Sequence, residues 1–184
     1  MSTCIFRTAH AGEAATIAAL HAESWRSAYR GLLPDAYLDR TVHAERLAHW
    51  QARLAADASP ACEVLLAEVD GAPAGFMCLI PDAEPENGIY LDNLHVLPAW
   101  QGLGLGRALM ARAARRTRLL APGRPLFLYV IETNHQARQC YLRWGGQETG
   151  RLMAELPGPC QLPVLRIAWP DPSVAEVLAE TGDL

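Results

Sequence analysis

The sequence predicts a protein of the mixed α/β class, and three observations indicate this. Residues 64–80 hold two apolar runs separated by Asp70-Gly71, which is the pattern of an antiparallel hairpin. Residues 89–97 are apolar or β-branched at most positions, and a glycine-rich loop then leads into a helical pattern over 104–120. Residues 126–131 are continuously apolar, as in a strand buried on both faces. Strands therefore alternate with helices in the second half of the chain.

The first third of the chain is predicted to hold one short strand and two helices. Cys4–Thr8 is a candidate edge strand. Over residues 13–29 the apolar positions suit a helix with one buried face: Ile17, Leu20, Trp25 and Ala28. Arg30-Gly31 ends this helix. A second helix is expected from about Asp35 to Ala56, and its apolar stripe is Leu47, Trp50 and Leu54.

The last third continues this alternation. Pro122-Gly123 ends the helix over 104–120, and Asn134 is a suitable N-cap for a helix that Gly145-Gly146 closes. A last long strand is expected over 162–169. Ser173 and Glu176 have the spacing of a capping box, which predicts a short helix in the tail, 170–184. Because no linker or repeat interrupts the chain, residues 1–184 are expected to form a single domain.

Composition excludes several classes of function. The net charge of −4 argues against a general nucleic-acid binder. No apolar run approaches the length of a membrane span, and the N-terminus lacks the apolar core of a signal peptide, so we expect a cytoplasmic protein. The five cysteines contain no C-x-x-C pair, and the six histidines no H-x-x-x-H pair. We therefore expect neither a disulfide framework nor a metal.

The loop at 102–106 is the strongest local signal for a ligand. Gly102, Gly104 and Gly106 alternate at the start of a helix. Glycine lets a backbone approach a ligand closely, and a helix N-terminus offers unpaired N–H groups with a partial positive charge. Together these features make a cradle for an anion, most often phosphate. The spacing fits neither the G-x-G-x-x-G dinucleotide loop nor a Walker loop, which opposes a nucleotide-binding domain of the Rossmann type.

Two longer matches extend this signal. Gln101–Gly106 fits the pattern Q/R-x-x-G-x-G/A, and Asn134-x-x-Ala137-x-x-x-Tyr141-x-x-x-Gly145 fits N-x-x-A-x-x-x-Y-x-x-x-G-F. Over residues 90–146 the sequence therefore resembles the GNAT superfamily of N-acetyltransferases that use acetyl-coenzyme A. Trp25-x-x-x-Tyr29 extends the resemblance more weakly toward the N-terminus. Gly146 departs from it, because the family usually has Phe there, and an aromatic anchor is expected to be missing or supplied by Trp144.

The resemblance implies the GNAT fold, a central mixed and mostly antiparallel sheet with helices on both faces. The sheet would splay between the strand at 89–97 and the strand at 126–131. The gap would admit the pantetheine arm, and the pyrophosphate would lie on the N–H groups of 102–107. Arg107 would lie beside the phosphates, and any of Arg112, Arg115, Arg116 and Arg118 could meet a 3′-phosphate. The residues implied to bind the cofactor are Leu94, His95, Val96, Gln101, Gly102, Leu103, Gly104, Leu105, Gly106, Arg107, Asn134, Ala137 and Tyr141.

The resemblance also implies catalytic roles. Tyr141 stands where the family has a phenolic acid that protonates the departing thiolate. Asp92 is a candidate for both the base and the acceptor site, and Glu23 is a second candidate base. Trp25 and Tyr29 would either wall the acceptor site or simply belong to the core, where they are neighbours on one helix. Since side chains alternate along a strand, Tyr90 and Asp92 are expected on one face and Asn93 and His95 on the other, unless a bulge intervenes. Cys140 lies about 100° around the helix from Tyr141, which disfavours an acyl-cysteine route.

Two functions of different classes remain open at this point. The first is an N-acetyltransferase that moves an acetyl group from acetyl-coenzyme A to a primary amine, on a small molecule or a peptide, by direct attack. The second is a non-catalytic module that senses acyl-coenzyme A. Tyr141 discriminates between them, because a pure binder has no need of an acid at the thiol. The sequence leaves open the identity of the acceptor and whether the protein is a monomer or a homodimer.

Overall fold

The computed structural model describes residues 3–156 and 160–180, with the side chains at 160 and 177–180 left out. These residues form seven strands and six helices. The strands are β1 (Cys4–Thr8), β2 (Glu63–Val69), β3 (Ala72–Ile80), β4 (Ile89–Val96), β5 (Leu126–Ile131), β6 (Gln147–Leu156) and β7 (Cys160–Trp169). The helices are α1 (Ala14–Ala28), α2 (Asp35–Arg40), α3 (Val42–Arg53), α4 (Leu105–Leu120), α5 (His135–Arg143) and α6 (Ser173–Glu180).

The strands form one mixed sheet in the order β1-β2-β3-β4-β5-β7-β6. Neighbours are antiparallel except β4 and β5, which are parallel. The β4–β5 ladder contains two pairs, Ile89 with Leu126 and Tyr90 with Phe127. Beyond Tyr90 the two strands part and leave a gap in the middle of the sheet. The expected α/β fold with a splayed, mostly antiparallel sheet is therefore confirmed.

Helices cover both faces of this sheet. On one face α1 and α3 bury Ile17 and Trp50 against Phe76 of β3. On the other face α4 buries Leu109 and Ala113 in a cluster that spans the sheet from Leu91 to Trp169. Helix α6 packs against α4 and adds Ala175 to this second cluster. The two apolar layers fix the sheet between the helices, so the gap between β4 and β5 has rigid walls.

Two elements differ from the prediction. The helix expected over 35–56 breaks at Thr41, whose φ of −112° departs from helical geometry, and this break separates α2 from α3. The Tyr37 hydroxyl bridges the break by donating a hydrogen bond to Glu45. Strand β6 was absent from the prediction. It lies at the edge of the sheet with most of its side chains exposed, so its sequence has no apolar run to indicate a strand.

A β-bulge interrupts β4 at Asp92. Leu91 pairs with Leu79 and Asn93 pairs with Cys78, so Asp92 has no partner on β3. The extra residue reverses the alternation beyond it. Leu94 and Val96 therefore pack on the α4 side, whereas His95 meets α1. Strict alternation would have turned Asp92 and His95 to opposite faces, but the bulge, which is the exception to that expectation, places both on the side of α1 and α3.

Candidate active site

A cavity of about 460 Å³ opens where β4 and β5 part. Its wall is built from α1, β4, the glycine loop, the start of α4, β5 and α5. The structure brings most of the residues that the sequence indicated to this one wall. They are Tyr29, Asp92, Leu94, His95, Val96, Gln101, Gly102, Gly104, Leu105, Gly106, Arg107, Asn134, Ala137 and Tyr141.

Three of the indicated residues lie outside the wall. Trp25 is buried beside Leu33, with the guanidinium of Arg46 4.7 Å from its ring centre. Leu103 is 57% exposed at the tip of the glycine loop. Glu23 is exposed on α1 and pairs with Arg26 at 3.5 Å. The geometry therefore gives Trp25 a packing role in the core, and it leaves Glu23 away from the cavity.

The glycine loop has the geometry of an anion cradle. Gly102 and Gly104 have φ of +79° and +80°, a left-handed conformation that favours glycine. Gly104 is the N-cap of α4, and no described side chain caps this helix. Ala108 N–H donates to the Gly104 carbonyl at 2.9 Å. The N–H groups before Ala108 have no carbonyl one turn earlier in the helix, so they can bind a ligand. A Cβ built at Gly102 would meet nothing within 4 Å, so the space beside the loop is open to a ligand.

The loop is tied to the end of β4. The Gln101 side chain donates its Nε2–H to the Val96 carbonyl at 3.0 Å. This bond places the loop directly after the strand whose edge lines the gap. Gln101, at the start of the glycine pattern, therefore has a structural role. It fixes the distance between the cradle and the free edge of β4.

Of the five arginines of α4, Arg107 lines the cavity and the other four, including Arg115, do not. Arg107 lies in the first turn and lines the cavity. Three others make contacts elsewhere: Arg112 stacks on Phe6, Arg116 pairs with Glu63 at 2.6 Å, and Arg118 pairs with Glu176. These three contribute to packing around the helix. Arg107 is the arginine of α4 that the fold directs to the loop.

Helix α5 carries the second group of site residues. Asn134 caps it, with its Oδ1 accepting the Ala137 N–H at 3.2 Å, as the sequence predicts. Two turns later Tyr141 lines the cavity, and its ring is held edge-on by Trp144 and Trp169. The Tyr141 hydroxyl makes no hydrogen bond to any described residue. Burial, with smaller contributions from Tyr29 and Cys140, raises the pKa of Tyr141, so the phenol is protonated at neutral pH.

Trp169 of β7 explains the glycine at 146. A Cβ at Gly146 would lie 2.5 Å from Ile167 Cγ2 and 2.9 Å from the Trp169 ring. Trp169 is fully buried, and its Nε1–H donates to the Trp144 carbonyl at 2.8 Å. Trp169 of β7 therefore fills the space beside Gly146. Trp144, the residue expected to supply an aromatic anchor if one is present, packs against the same core cluster and also lines the cavity.

Polar groups meet on the side of the cavity next to α1. The Asn93 side-chain N–H donates to Asp92 Oδ2 at 2.6 Å, and Arg53 lies 3.5 Å from the same oxygen. Burial raises the pKa of Asp92. Ser24 Oγ lies 2.9 Å from His95 Nδ1. Desolvation, reinforced by Arg46, lowers the pKa of His95 to about 4, so its imidazole is neutral at neutral pH.

Sequence reasoning missed several residues of the wall. Ser24, Tyr129, Arg143 and Trp144 all line the cavity. Ser24 precedes Trp25 by one residue and therefore faces another direction on α1. The sequence pattern Trp25-x-x-x-Tyr29 indicated only the neighbouring face of this helix. Tyr129 projects from β5 and donates its hydroxyl hydrogen to Glu84 at 2.9 Å. This bond holds residues 81–88, the loop that joins β3 to β4, beside the cavity.

Within residues 3–156 and 160–180, no group of three or more His, Cys, Asp or Glu residues is arranged to hold a metal ion. None of the helices described there combines the length and apolar character needed to cross a bilayer.

Comparison with known proteins shows the family. The model of the acetyltransferase (GNAT) family matches residues 18–146, which is more than half of the chain. The chain belongs to the GNAT acetyltransferase family. It is 28% identical over 165 residues to the uncharacterized N-acetyltransferase YuaI of Bacillus subtilis (strain 168), covering 88% of this chain and 90% of that protein. This GNAT protein is thus an acyltransferase.

Solved GNAT structures share its fold. The PaiA N-acetyltransferase of Thermoplasma acidophilum, solved with coenzyme A, has a TM-score of 0.69 at 18% identity, covering 89% of this chain and 98% of that chain. YncA of Salmonella typhimurium, a putative acetyltransferase solved with acetyl-coenzyme A, has a TM-score of 0.65 at 20% identity, covering 91% and 93%. At these identities the likeness concerns the fold.

Proposed function

We propose that this acyltransferase moves an acetyl group from acetyl-coenzyme A to a primary amine by direct attack of the amine. The observation that carries the proposal is that one cavity is lined by three features. These are the open glycine cradle at 102–106, the unpaired edge of β4 and the phenol of Tyr141. The first two suit a long phosphorylated thiol ester, and the third suits a leaving thiolate.

The chain's own groups would hold the cosubstrate as follows. The amides of 102–107 would bind the pyrophosphate, because they belong to a helix N-terminus that no described side chain caps. The ladder between β4 and β5 ends at Tyr90, so Leu94, His95 and Val96 present backbone groups toward the gap for the pantetheine arm. Asn134 and Ala137 line the cavity at the start of α5 and would face the arm from that side. The two solved relatives that contain coenzyme A or acetyl-coenzyme A support this arrangement.

When bound, acetyl-coenzyme A supplies a thioester carbonyl that an amine can attack without an enzyme nucleophile. A backbone N–H near Val96 would polarise this carbonyl. Tyr141 would protonate the departing thiolate, whose thiol has a pKa near 8.5 by analogy with cysteine. Asp92, on the wall beside α1, is a candidate for binding the acceptor and for accepting its proton, and Tyr29 would contact the acceptor.

The acceptor is proposed to be a primary amine of a small molecule or a peptide. The net charge of −4 favours a cationic acceptor and disfavours nucleic acid. The free cysteines at Cys4, Cys62, Cys78 and Cys140 suit a reducing compartment, which agrees with a cytoplasmic location. A monomer and a homodimer both remain compatible with this site, because the described wall comes from one chain.

The test has two steps. Calorimetry with acetyl-coenzyme A measures binding of the cosubstrate. A panel of amines is then screened for release of free thiol, and acetylated product is identified by mass spectrometry. The proposal expects micromolar binding and turnover with at least one amine. Tight binding without turnover across the panel would contradict the enzyme and favour the acyl-coenzyme A sensor.

A further inference from the structure

We infer that His95 accepts the proton of the attacking amine and that Ser24 positions its ring for this step. The inference rests on the proposed acetyl transfer and deepens it, because it assigns the base on the acceptor side of the site. It also changes the role of His95, which the sequence indicated as a backbone contact to the cofactor.

The bulge at Asp92 is what places His95 there. Without the extra residue, the alternation of β4 would turn position 95 toward α4 and away from α1. In the structure the His95 ring lies beside α1 and lines the same cavity as Tyr141 and Tyr29. The proposed base and the proposed acid therefore border one cavity, with β4 carrying the first and α5 the second.

The His95 ring is fixed on several sides. Its Nδ1 lies 2.9 Å from Ser24 Oγ. Its centre lies 4.8 Å from the ring of His21 and 5.4 Å from the ring of Phe76. Its Nε2 makes no hydrogen bond to any residue in the described part of the chain. Nε2 is thus the ring nitrogen that remains for a ligand in the cavity.

Desolvation is the main reason that this imidazole stays neutral, because it lowers the His95 pKa. Arg46 from α3 is the charged group that adds to this effect. His21 from α1 is itself neutral, because burial lowers its pKa well below the usual value. Asp92, on the same strand, is bound by Asn93 and Arg53. When Nδ1–H donates to Ser24 Oγ, the proton of the neutral ring is on Nδ1 and the lone pair is on Nε2. Nε2 can then accept a proton from an amine in the cavity.

Asp92 is the competing base, and burial raises its pKa; it differs from His95 in that its carboxylate is already engaged. Its Oδ2 already receives the Asn93 N–H at 2.6 Å and faces Arg53 at 3.5 Å. Protonation of Asp92 would weaken both contacts. Protonation of His95 at Nε2 leaves the bond to Ser24 in place, because Nδ1–H still donates to the hydroxyl.

The proton and electron transfers balance without a further reactant. The neutral amine nitrogen bonds to the thioester carbonyl carbon and loses one proton to His95 Nε2. The carbon–sulfur bond breaks with its electron pair on sulfur, which takes a proton from Tyr141. Solvent returns the proton from His95 to the tyrosinate. An N–H bonded to the carbonyl carbon is far more acidic than that of a free ammonium, so a weakly basic imidazole suffices.

The first test uses the protein without ligand. Nitrogen-15 NMR of the histidine rings reports which nitrogen carries the proton. For His95 we expect the Nδ1–H tautomer in the wild type, and a shift toward Nε2–H in Ser24→Ala. An Nε2–H tautomer in the wild type would overturn the inference, since Nε2 would then have no lone pair for the amine.

The second test is kinetic and compares the two candidate bases. His95→Gln should lower kcat by about 10²-fold or more, and Asp92→Asn by less than about 10-fold. Calorimetry should show unchanged coenzyme A affinity in both variants, which also confirms that they fold. Ser24→Ala should lower kcat by about 10-fold and add little in the His95→Gln background, because the two residues act as a unit.

The outcomes separate the two proposals. Wild-type turnover combined with a small loss in His95→Gln and a large one in Asp92→Asn overturns this inference and leaves the acetyl transfer intact. Absence of wild-type turnover despite coenzyme A binding overturns both. Additive losses in the Ser24→Ala and His95→Gln double variant contradict the positioning role of Ser24.

Discussion

The ring of Tyr141 meets the ring of Trp169 edge-on, with 6.2 Å between their centres. Trp169 thereby packs against the ring of the proposed acid. Its indole N–H also donates to the Trp144 carbonyl and so anchors the end of α5. The pairing depends on Gly146, which occupies the corner between α5 and β6. A side chain at this corner would enter the volume that Ile167 and Trp169 fill.

Gly146→Ala is therefore expected to destabilise the protein by about 1–3 kcal/mol, the usual effect of overpacking a core. Gly150→Ala is the matched control on β6, because the atoms nearest to its Cβ belong to the flexible Arg166 side chain and lie at 3.6 Å or more. Urea denaturation, monitored by tryptophan fluorescence, measures the free energy of unfolding of both variants. Equal stability of the two variants would show that Trp169 can move aside at no cost.

Gly104→Val should abolish coenzyme A binding while the protein stays folded. Gly104 has a φ of +80°, which a β-branched residue adopts only under strain, and it borders the proposed pyrophosphate site. Gly71→Val is the control, because Gly71 has a φ of +79° in the β2–β3 turn, with nothing within 4 Å of a Cβ. Calorimetry should find wild-type affinity in Gly71→Val. Unchanged affinity in Gly104→Val would place the phosphate site elsewhere.

Tyr141→Phe separates the enzyme from the sensor. The substitution keeps the contacts of the ring with Trp144 and Trp169 and removes only the hydroxyl. We expect kcat to fall on the order of 10²-fold with little change in KM, because the lost interaction forms in the transition state. The loss should be smaller for an acyl donor whose thiol is more acidic.

A second cavity tyrosine provides the control for this experiment. Tyr129 also lines the cavity, but its hydroxyl donates to Glu84. Tyr129→Phe should keep kcat within a few-fold of the wild type. Equal activity of Tyr141→Phe and the wild type, with a proven amine acceptor, would remove the role of acid from Tyr141.

The Arg7–Glu13 pair makes stability depend on pH. Arg7 donates two hydrogen bonds to the Glu13 carboxylate, at 2.6 and 2.9 Å, and these bonds lower the Glu13 pKa to about 2, against burial, which opposes the shift. A depressed pKa means that the stabilisation is complete above the pKa of the unfolded chain, near 4.5. It is lost as the pH falls from about 5 toward 2.

Glu13→Gln should accordingly lower the free energy of unfolding by about 1.5–3 kcal/mol at pH 7, the range for hydrogen bonds to charged groups. The difference from the wild type should shrink as the pH approaches 2–3. Glu23→Gln, which changes an exposed carboxylate of α1, should stay within about 0.5 kcal/mol of the wild type. Chemical denaturation at several pH values measures the free energy of unfolding of the wild type, Glu13→Gln and Glu23→Gln. A difference that does not change with pH would contradict the pairing.

Local chemistry determined much of this protein. The glycine cradle, the Asn134 cap and the position of Tyr141 on α5 could be predicted, because each depends on residues within one or two helical turns. Strand β5 could be predicted because it is buried on both faces and hence continuously apolar. The match to the GNAT pattern then connected these segments, and the structure brings them to one cavity.

Contacts between distant segments decided the rest. The bulge at Asp92 is set by the register of β4 against β3, which no residue of β4 alone reveals. That register decides that His95 meets Ser24, 71 positions away in the sequence. Trp169 likewise reaches Gly146 only after β7 inserts between β5 and β6. The sequence alone thus determined the glycine loop and the place of Tyr141, whereas strand register and packing decided which side chains line the cavity next to α1.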